Sequence, residues 1–262
     1  MGRSIQWYLR RHPLLYKIRF RLVSKNTTLS SVEHYCYNDI NKKNNVSSIF
    51  YELNTKIFAN YSETLTNFEK AKKITLWLKN NIKGGPGLGK SSTTALKKMI
   101  QGEGGVCSDV AQVFNNFCVI NDLKVKEWGM KNSSKDSSIS GGHSFNEVYC
   151  NEFQKWIMID VGKSIVFKVA NQNIPLSAFE FIKFKKENKE INVIDLFSNS
   201  KIEDDNINNV FLKSNSSLFV ITNYNNKNYD YLLDKLEFLP ESIIHGLLFI
   251  VGKSYVFEFP NQ

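Results

Sequence analysis

The stretch Gly102-Glu103-Gly104-Gly105-Val106-Cys107-Ser108-Asp109-Val110-Ala111 decides how the rest of the chain is read. A glycine-rich turn runs into a cysteine. The apolar spacing that follows, Val110, Ala111, Phe114, Phe117 and Cys118, predicts a helix that starts at Cys107 or Ser108. A thiol at a helix start faces amides without intrahelical acceptors and the positive end of the helix dipole, and both favour thiolate. The same amides suit an oxyanion formed when a carbonyl carbon is attacked. Asp109 works against the thiolate, so such a cysteine still needs a cationic partner. Taken alone, a cysteine in this position is more often inert and buried.

A nucleophilic thiolate needs a base, and the base needs an orienting group. The chain has four histidines, His12, His34, His143 and His245. His143 follows the Gly141-Gly142 hinge and opens a segment that reads as a strand to Cys150. A second strand, Trp156 to Val161, follows a short polar turn at Asn151-Glu152 and contains Asp160 near its end. A hairpin centred on that turn sets His143 opposite Asp160, with Cβ atoms about 5 Å apart on one face. A connection longer by two residues makes them diagonal neighbours on the same face, and a change of one residue separates them. Without such pairing, His143 reads as a satisfied strand histidine and Asp160 as a strand-end residue.

Working outward, Thr66-Asn67-Phe68-Glu69 is a capping-box pattern. Phe68, Ala71, Thr75, Leu78 and Ile82 then carry a helix to about Asn81, ending before Gly84-Gly85-Pro86. Lys124 to Trp128 alternates and reads as a strand. Residues 131–142 read as a Ser- and Gly-rich loop that either closes over a cleft or merely connects. The order helix, strand, strand, strand predicts an α+β layer fold.

Gly84-Gly85-Pro86-Gly87-Leu88-Gly89-Lys90-Ser91 matches the phosphate-loop pattern GxxxxGK[ST] at every position. That loop must leave a buried strand and open a helix for its amides to face phosphates. Here an amphipathic helix precedes it, so a Gly-rich linker between two helices is expected rather than a nucleotide-dependent enzyme.

Composition sets the bounds. The chain has 262 residues, 42% hydrophobic and 23% charged, which are globular values. Four cysteines (Cys36, Cys107, Cys118, Cys150) form no CxxC pair and no zinc-ligand spacing, and a reducing compartment is the simpler reading. His34 with Cys36 lacks further nearby ligands. Cys118 and Cys150 read as small buried hydrophobes. No secretory signal and no transmembrane run is visible, so a cytoplasmic location is expected. Residues 1–25 hold Arg3, Arg10, Arg11, Lys17, Arg19, Arg21 and Lys25 and no acid. That is +7 of the formal +9, leaving +2 for the other 237 residues. Charge confined to one end is not a nucleic-acid surface, and no nucleic-acid partner is expected. After Pro13, Leu14, Leu15, Ile18 and Leu22 fall at helical spacing among these cations. Two arrangements suit the pattern. The stripe packs on its own domain, as most such helices do, or the helix makes a weak contact with an anionic membrane surface.

The segments Gly105-Val106-Cys107-Ser108-Asp109-Val110-Ala111, Gly142-His143-Ser144-Phe145-Asn146-Glu147-Val148 and Trp156-Ile157-Met158-Ile159-Asp160 resemble the three sequence blocks of the transglutaminase-like superfamily, in order. The resemblance covers about residues 66–165. Phe145 stands where tryptophan is frequent, and Val161-Gly162 replaces a proline-containing sequel.

The resemblance implies a papain-like core, a nucleophile helix packed on an antiparallel sheet, at residues 61–165, with additions at 1–60 and 166–262. It implies Cys107 as nucleophile, His143 as base and Asp160 as its orienter, without cofactor or metal. The expected chemistry in a bacterial enzyme of this kind is acyl transfer or hydrolysis at an amide through a cysteine thioester. A peptide, a protein or a glycan-linked amide would serve as substrate. A cysteine protease or amidase of the same fold and a binding protein without turnover are the alternatives. Trp77, Gln101 and Trp128 are the available guesses for a side-chain oxyanion donor, each also readable as core or surface.

Overall fold

The computed structural model describes residues 13–59, 64–85, 90–132, 142–170, 172–213, 216–239 and 241–261. Eight strands form one sheet: β1 (Ser24–Thr27), β2 (Val125–Asn132), β3 (Gly142–Cys150), β4 (Lys155–Asp160), β5 (Ile165–Val169), β6 (Ile191–Asp195), β7 (Ser216–Thr222) and β8 (Val256–Pro260), in the order β1-β8-β7-β2-β3-β4-β5-β6. Every pairing is antiparallel except β1 with β8, which is parallel. The expected α+β class therefore holds, and the expected antiparallel sheet is mixed at one edge. The sheet runs through all three segments of the chain, since β1 comes from the first 60 residues and β5 to β8 from beyond β4.

Among the described residues the longer helices are α1 (Pro13–Val23), α2 (Ser48–Phe58), α3 (Asn67–Asn81), α4 (Ser92–Ile100), α5 (Cys107–Ile120), α6 (Ala178–Lys186), α7 (Asn226–Lys235) and α8 (Glu241–Ile250). α3 spans the predicted residues. Its capping box is formed: Glu69 accepts the Thr66 N–H at 2.8 Å, and the Thr66 hydroxyl accepts the Glu69 N–H at 3.3 Å. α5 starts at Cys107, and its predicted stripe is buried. α2 to α5 share one core with Val148, Ile157 and Ile159 of the sheet. On the opposite face, Trp128, Phe145, Met158 and Phe167 pack with α6 and Phe211. β3 and β4 thus bury residues on both faces, as a covered strand requires, with Asn146 and Glu147 the buried polar residues of β3.

Two local expectations change. β2 extends past Trp128 to Asn132, so the strand takes the first residues of the expected 131–142 loop. Residues 133–141 lie outside the described residues. The β3–β4 connection is two residues longer than a turn centred on Asn151-Glu152, because Cys150 pairs with Lys155 and Asn146 with Ile159. His143 and Asp160 are consequently diagonal neighbours on one face rather than directly opposed.

α1 turns Leu14, Ile18 and Leu22 of its predicted stripe outward; the Leu15 side chain lies outside the described residues. Leu14, Ile18 and Leu22 are 58%, 47% and 55% exposed, whereas Phe20 and Val23 are buried. The reason lies in the aromatic contacts. The Phe20 ring packs against those of Phe219, Phe257 and Phe259 on β7 and β8, at centroid distances of 5.7, 5.1 and 5.9 Å. A large ring burying itself there outweighs the smaller aliphatic groups on the other side of the helix. Among the described residues no helix is long and apolar enough to cross a membrane.

Candidate active site

The site forms where the ends of β2, β3 and β4 meet the start of α5. Gly104, at φ +87°, and Gly105 make the turn into the helix. Gly84-Gly85 lies against them: the Gly85 N–H donates to the Gly105 carbonyl at 2.8 Å, and a Cβ on Gly104 would come within 3.0 Å of the Gly85 Cα. Gly85 of the apparent phosphate loop thus serves a close backbone approach beside the cysteine, where a Cβ on it would lie 3.3 Å from the Gly104 Cα. That loop leaves a helix, α3, and not a strand. Residues 86–89 lie outside the described residues, and Ser91 caps α4 by accepting the Thr94 N–H at 3.2 Å.

Asp109 turns back on its own helix start, where its carboxylate accepts the Val106 N–H at 2.9 Å. Cys107 meets the His143 ring and the Ser144 backbone amide. The other side of that ring is held: Nε2 lies 2.6 Å from Asp160 Oδ2. Asp160 is 1% exposed, and its second oxygen accepts the Lys163 N–H at 3.0 Å. An edge of Phe211 meets the imidazole at a centroid distance of 5.4 Å and 90°. Rotation of His143 is thereby restricted from two sides. The chain brings the three predicted residues together in the order thiol, imidazole, carboxylate.

The electrostatics follow from these contacts. Burial disfavours the Cys107 thiolate, but the hydrogen bond and charge of His143 and the Ser144 amide outweigh it. The thiol sits below the ordinary cysteine range. Burial also opposes charge on His143. The Asp160 carboxylate, by charge and hydrogen bond, and then Cys107 override it and raise the imidazole to about 10. The shifts run in opposite senses, so between them the favoured state is a thiolate–imidazolium pair. The other cysteines behave differently: burial pushes the thiols of Cys36, Cys118 and Cys150 up.

A cleft of about 880 Å³ opens on Cys107 and His143. Leu78, Ile82, Val110 and Val161 supply apolar wall, while Lys79, Lys163, Asn206 and Asn209 supply polar groups. None of Trp77, Gln101 and Trp128 lines it. Trp77 packs edge-on against Phe117, Gln101 ends α4, and the Trp128 indole N–H donates to Glu147 at 2.9 Å. Among the described residues no cluster of His, Cys, Asp and Glu could hold a metal ion; the exposed His34 ring bonds the Ser30 carbonyl at 2.7 Å, and Cys36 is buried.

Sequence reading missed how α5 is held. Glu127 of β2, 1% exposed, accepts bonds from the Gln112 amide and from Asn115 at 3.1 Å. Asn146 of β3 donates to the Ala111 carbonyl at 3.2 Å and to Asn115 Oδ1 at 2.8 Å. Tyr37 donates to Gln112 at 3.1 Å. Burial holds the Glu127 carboxyl well above its usual range. The available signal was Gln112 and Asn115, three apart among the apolar residues Val110, Ala111, Val113, Phe114 and Phe117 of the helix. Polar groups buried at that spacing need partners on the facing strand.

Comparison with known families fits this geometry. Residues 52–161 match the model of the transglutaminase-like superfamily, so this stretch of the chain is similar to a transglutaminase-like core. It contains Cys107, His143 and Asp160. In general terms the match supports thiol-dependent chemistry at an amide. Among solved structures, the crystal structure of a candidate cysteine protease from Cytophaga hutchinsonii is similar, at 22% identity and a TM-score of 0.33. The similarity covers 48% of this chain and 38% of that one. No curated protein matches the chain.

Proposed function

We propose that this chain is a cysteine-nucleophile enzyme that opens an amide through a thioester, with Cys107 as nucleophile, His143 as acid and base, and Asp160 as the group that orients His143. The observation that carries the reading is the contact of Cys107 with an imidazole whose far nitrogen is 2.6 Å from a buried carboxylate. The thiolate sulfur attacks the amide carbon, and the carbonyl electron pair moves onto oxygen. Backbone amides at the start of α5 are suited to hold that oxyanion. His143 gives its proton to the leaving nitrogen as the C–N bond breaks, which leaves a thioester and an amine. The neutral imidazole then takes a proton from the acceptor as it attacks. Collapse releases the product, and the thiolate and imidazolium re-form.

The acceptor is either an amine or water, giving acyl transfer or hydrolysis. An amide-bearing peptide, protein or glycan-linked compound suits a cleft lined by apolar residues together with Lys79, Lys163, Asn206 and Asn209. The test is a pool of glutamine- and asparagine-containing peptides supplied with a fluorescent primary amine. Amine incorporation or peptide deamidation, lost in Cys107→Ser, is the expected result. Turnover that persists in Cys107→Ser contradicts the proposal. The ratio of the two products assigns the acceptor.

A further inference from the structure

The outward faces of α1 and α8 belong together. Both helices pack on the same aromatic surface of β7 and β8, in one cluster that includes Phe20, Val23, Ile244, Leu248 and Tyr255. Tyr255 joins them: it accepts a hydrogen bond from Arg19 of α1, and its ring meets that of His245 of α8 at 5.6 Å. With Ile244 and Leu248 turned inward, α8 shows solvent Ile243, Leu247 and Ile250, which are 47%, 44% and 79% exposed. These recur at i, i+4 and i+7 and make one row. α1 shows the parallel feature, with Leu14, Ile18 and Leu22 at i, i+4 and i+8. At 100° per residue, Lys17 and Arg21 run along one edge of that row, and both are exposed.

Exposed aliphatic rows on two helices that share one core cluster mark an interaction surface. The charge around it identifies the partner. From Pro13 to Val32 the chain carries Lys17, Arg19, Arg21 and Lys25 and no acid; Arg19 bonds Tyr255 and Lys25 pairs with Glu258 at 3.0 Å, which leaves the exposed Lys17 and Arg21 beside the α1 row. A second copy of the chain would bring the same cations to the contact. The only charged residue within α8 is Glu241, at its start, and Lys253 follows the helix and is exposed. Aliphatic rows beside cations match a bilayer surface, which offers acyl chains just beneath anionic headgroups. α8 has 10 residues. At about 1.5 Å per residue it is roughly half the length that crosses a hydrocarbon core, so it can lie in the surface but not cross.

We propose that α1 and α8 together form a peripheral binding surface for anionic lipid membranes, with the aliphatic rows inserted at the headgroup boundary and Lys17 and Arg21 on the lipid charge. The claim stands on these two helices and is independent of the chemistry at Cys107.

Co-sedimentation of the full chain with phosphatidylcholine vesicles, with and without phosphatidylserine, tests it. The expected result is binding to the phosphatidylserine vesicles that weakens as salt is raised. Lys17→Gln/Arg21→Gln should weaken it about thirtyfold, from roughly fivefold per cation near a charged surface. Leu247→Ser/Ile250→Ser, which alters only exposed positions, should weaken it on the order of tenfold or more. Both variants should keep the wild-type circular dichroism and the Cys107 alkylation rate. Failure of the wild type to sediment with anionic vesicles overturns the proposal, as does equal binding to both vesicle types. Concentration-dependent self-association in sedimentation velocity, abolished by Leu247→Ser/Ile250→Ser, would make the face an interface between copies and would equally overturn it.

Discussion

Replacing Asp160 by Asn tests how much of the site's charge balance one buried carboxylate supports. The carboxylate is 1% exposed and sits 2.6 Å from His143 Nε2. It is the largest influence raising His143 from the ordinary 6.5 to about 10 against burial. That full displacement corresponds to about 5 kcal/mol at roughly 1.4 kcal/mol per pH unit. Cys107 contributes part of it, and an asparagine amide keeps a hydrogen bond. Removing the Asp160 charge should therefore cost less than that full amount, about 3 kcal/mol, the low end of what breaking a buried pair costs. The His143 midpoint should fall by about two pH units or more. Because His143 is raised in the folded state, its stabilisation is complete below 6.5 and is lost as pH rises through about 10. Wild type and Asp160→Asn should therefore differ most in stability near and below neutral pH and converge above pH 10. The assay is the imidazole ring-proton titration by NMR, with the His143 resonance identified by its loss in His143→Gln. A midpoint that stays in place in Asp160→Asn would refute the reasoning, since no other described carboxylate is hydrogen-bonded to that ring.

Three other outcomes follow from the same structure. Gly129 of β2 faces Phe219, and a Cβ there would lie 2.2 Å from the ring, so Gly129→Ala should cost about 3 kcal/mol and lower Tm by roughly 5–10 °C in a thermal melt. Lys90→Ala should leave Cys107 alkylation unchanged, and neither wild type nor variant should bind ATP or GTP in equilibrium dialysis; nucleotide binding lost in the variant would restore the phosphate-loop reading. Glu127→Leu removes the acceptor for both Gln112 and Asn115, so it should lower stability by about 2–4 kcal/mol in urea and slow Cys107 alkylation, because α5 then loses its fixed position on β2.

What was legible in the sequence is local or periodic. The capping box at Thr66 and Glu69, the stripe from Phe68 to Leu78, and the helix opening at Cys107 each rest on spacings within a few residues, and all are found where predicted. The meeting of His143 and Asp160 depended on the length of one turn. The two-residue difference preserved the face because strand side chains alternate with period two. The sheet edges were not legible. β1 pairs with β8 across more than two hundred residues, and nothing in Ser24–Thr27 or Val256–Pro260 marks that partner. The facing of α1 was decided by Phe20 finding three rings on β7 and β8, a tertiary contact invisible to a helical wheel. The Glu127 network escaped for a similar reason, because a charged residue in a strand reads as solvent-facing unless its partners on another element are known.

The central claim is that Cys107 is an activated thiolate maintained by His143. Iodoacetamide labelling across pH, with each cysteine quantified by mass spectrometry in wild type, His143→Gln and Cys107→Ser, tests it most directly. Cys36, Cys118 and Cys150, whose thiols burial pushes up, serve as internal controls. The account predicts selective labelling of Cys107 well below pH 8, lost at neutral pH in His143→Gln. Slow labelling of Cys107 that matches the other three cysteines and does not respond to His143→Gln would contradict it.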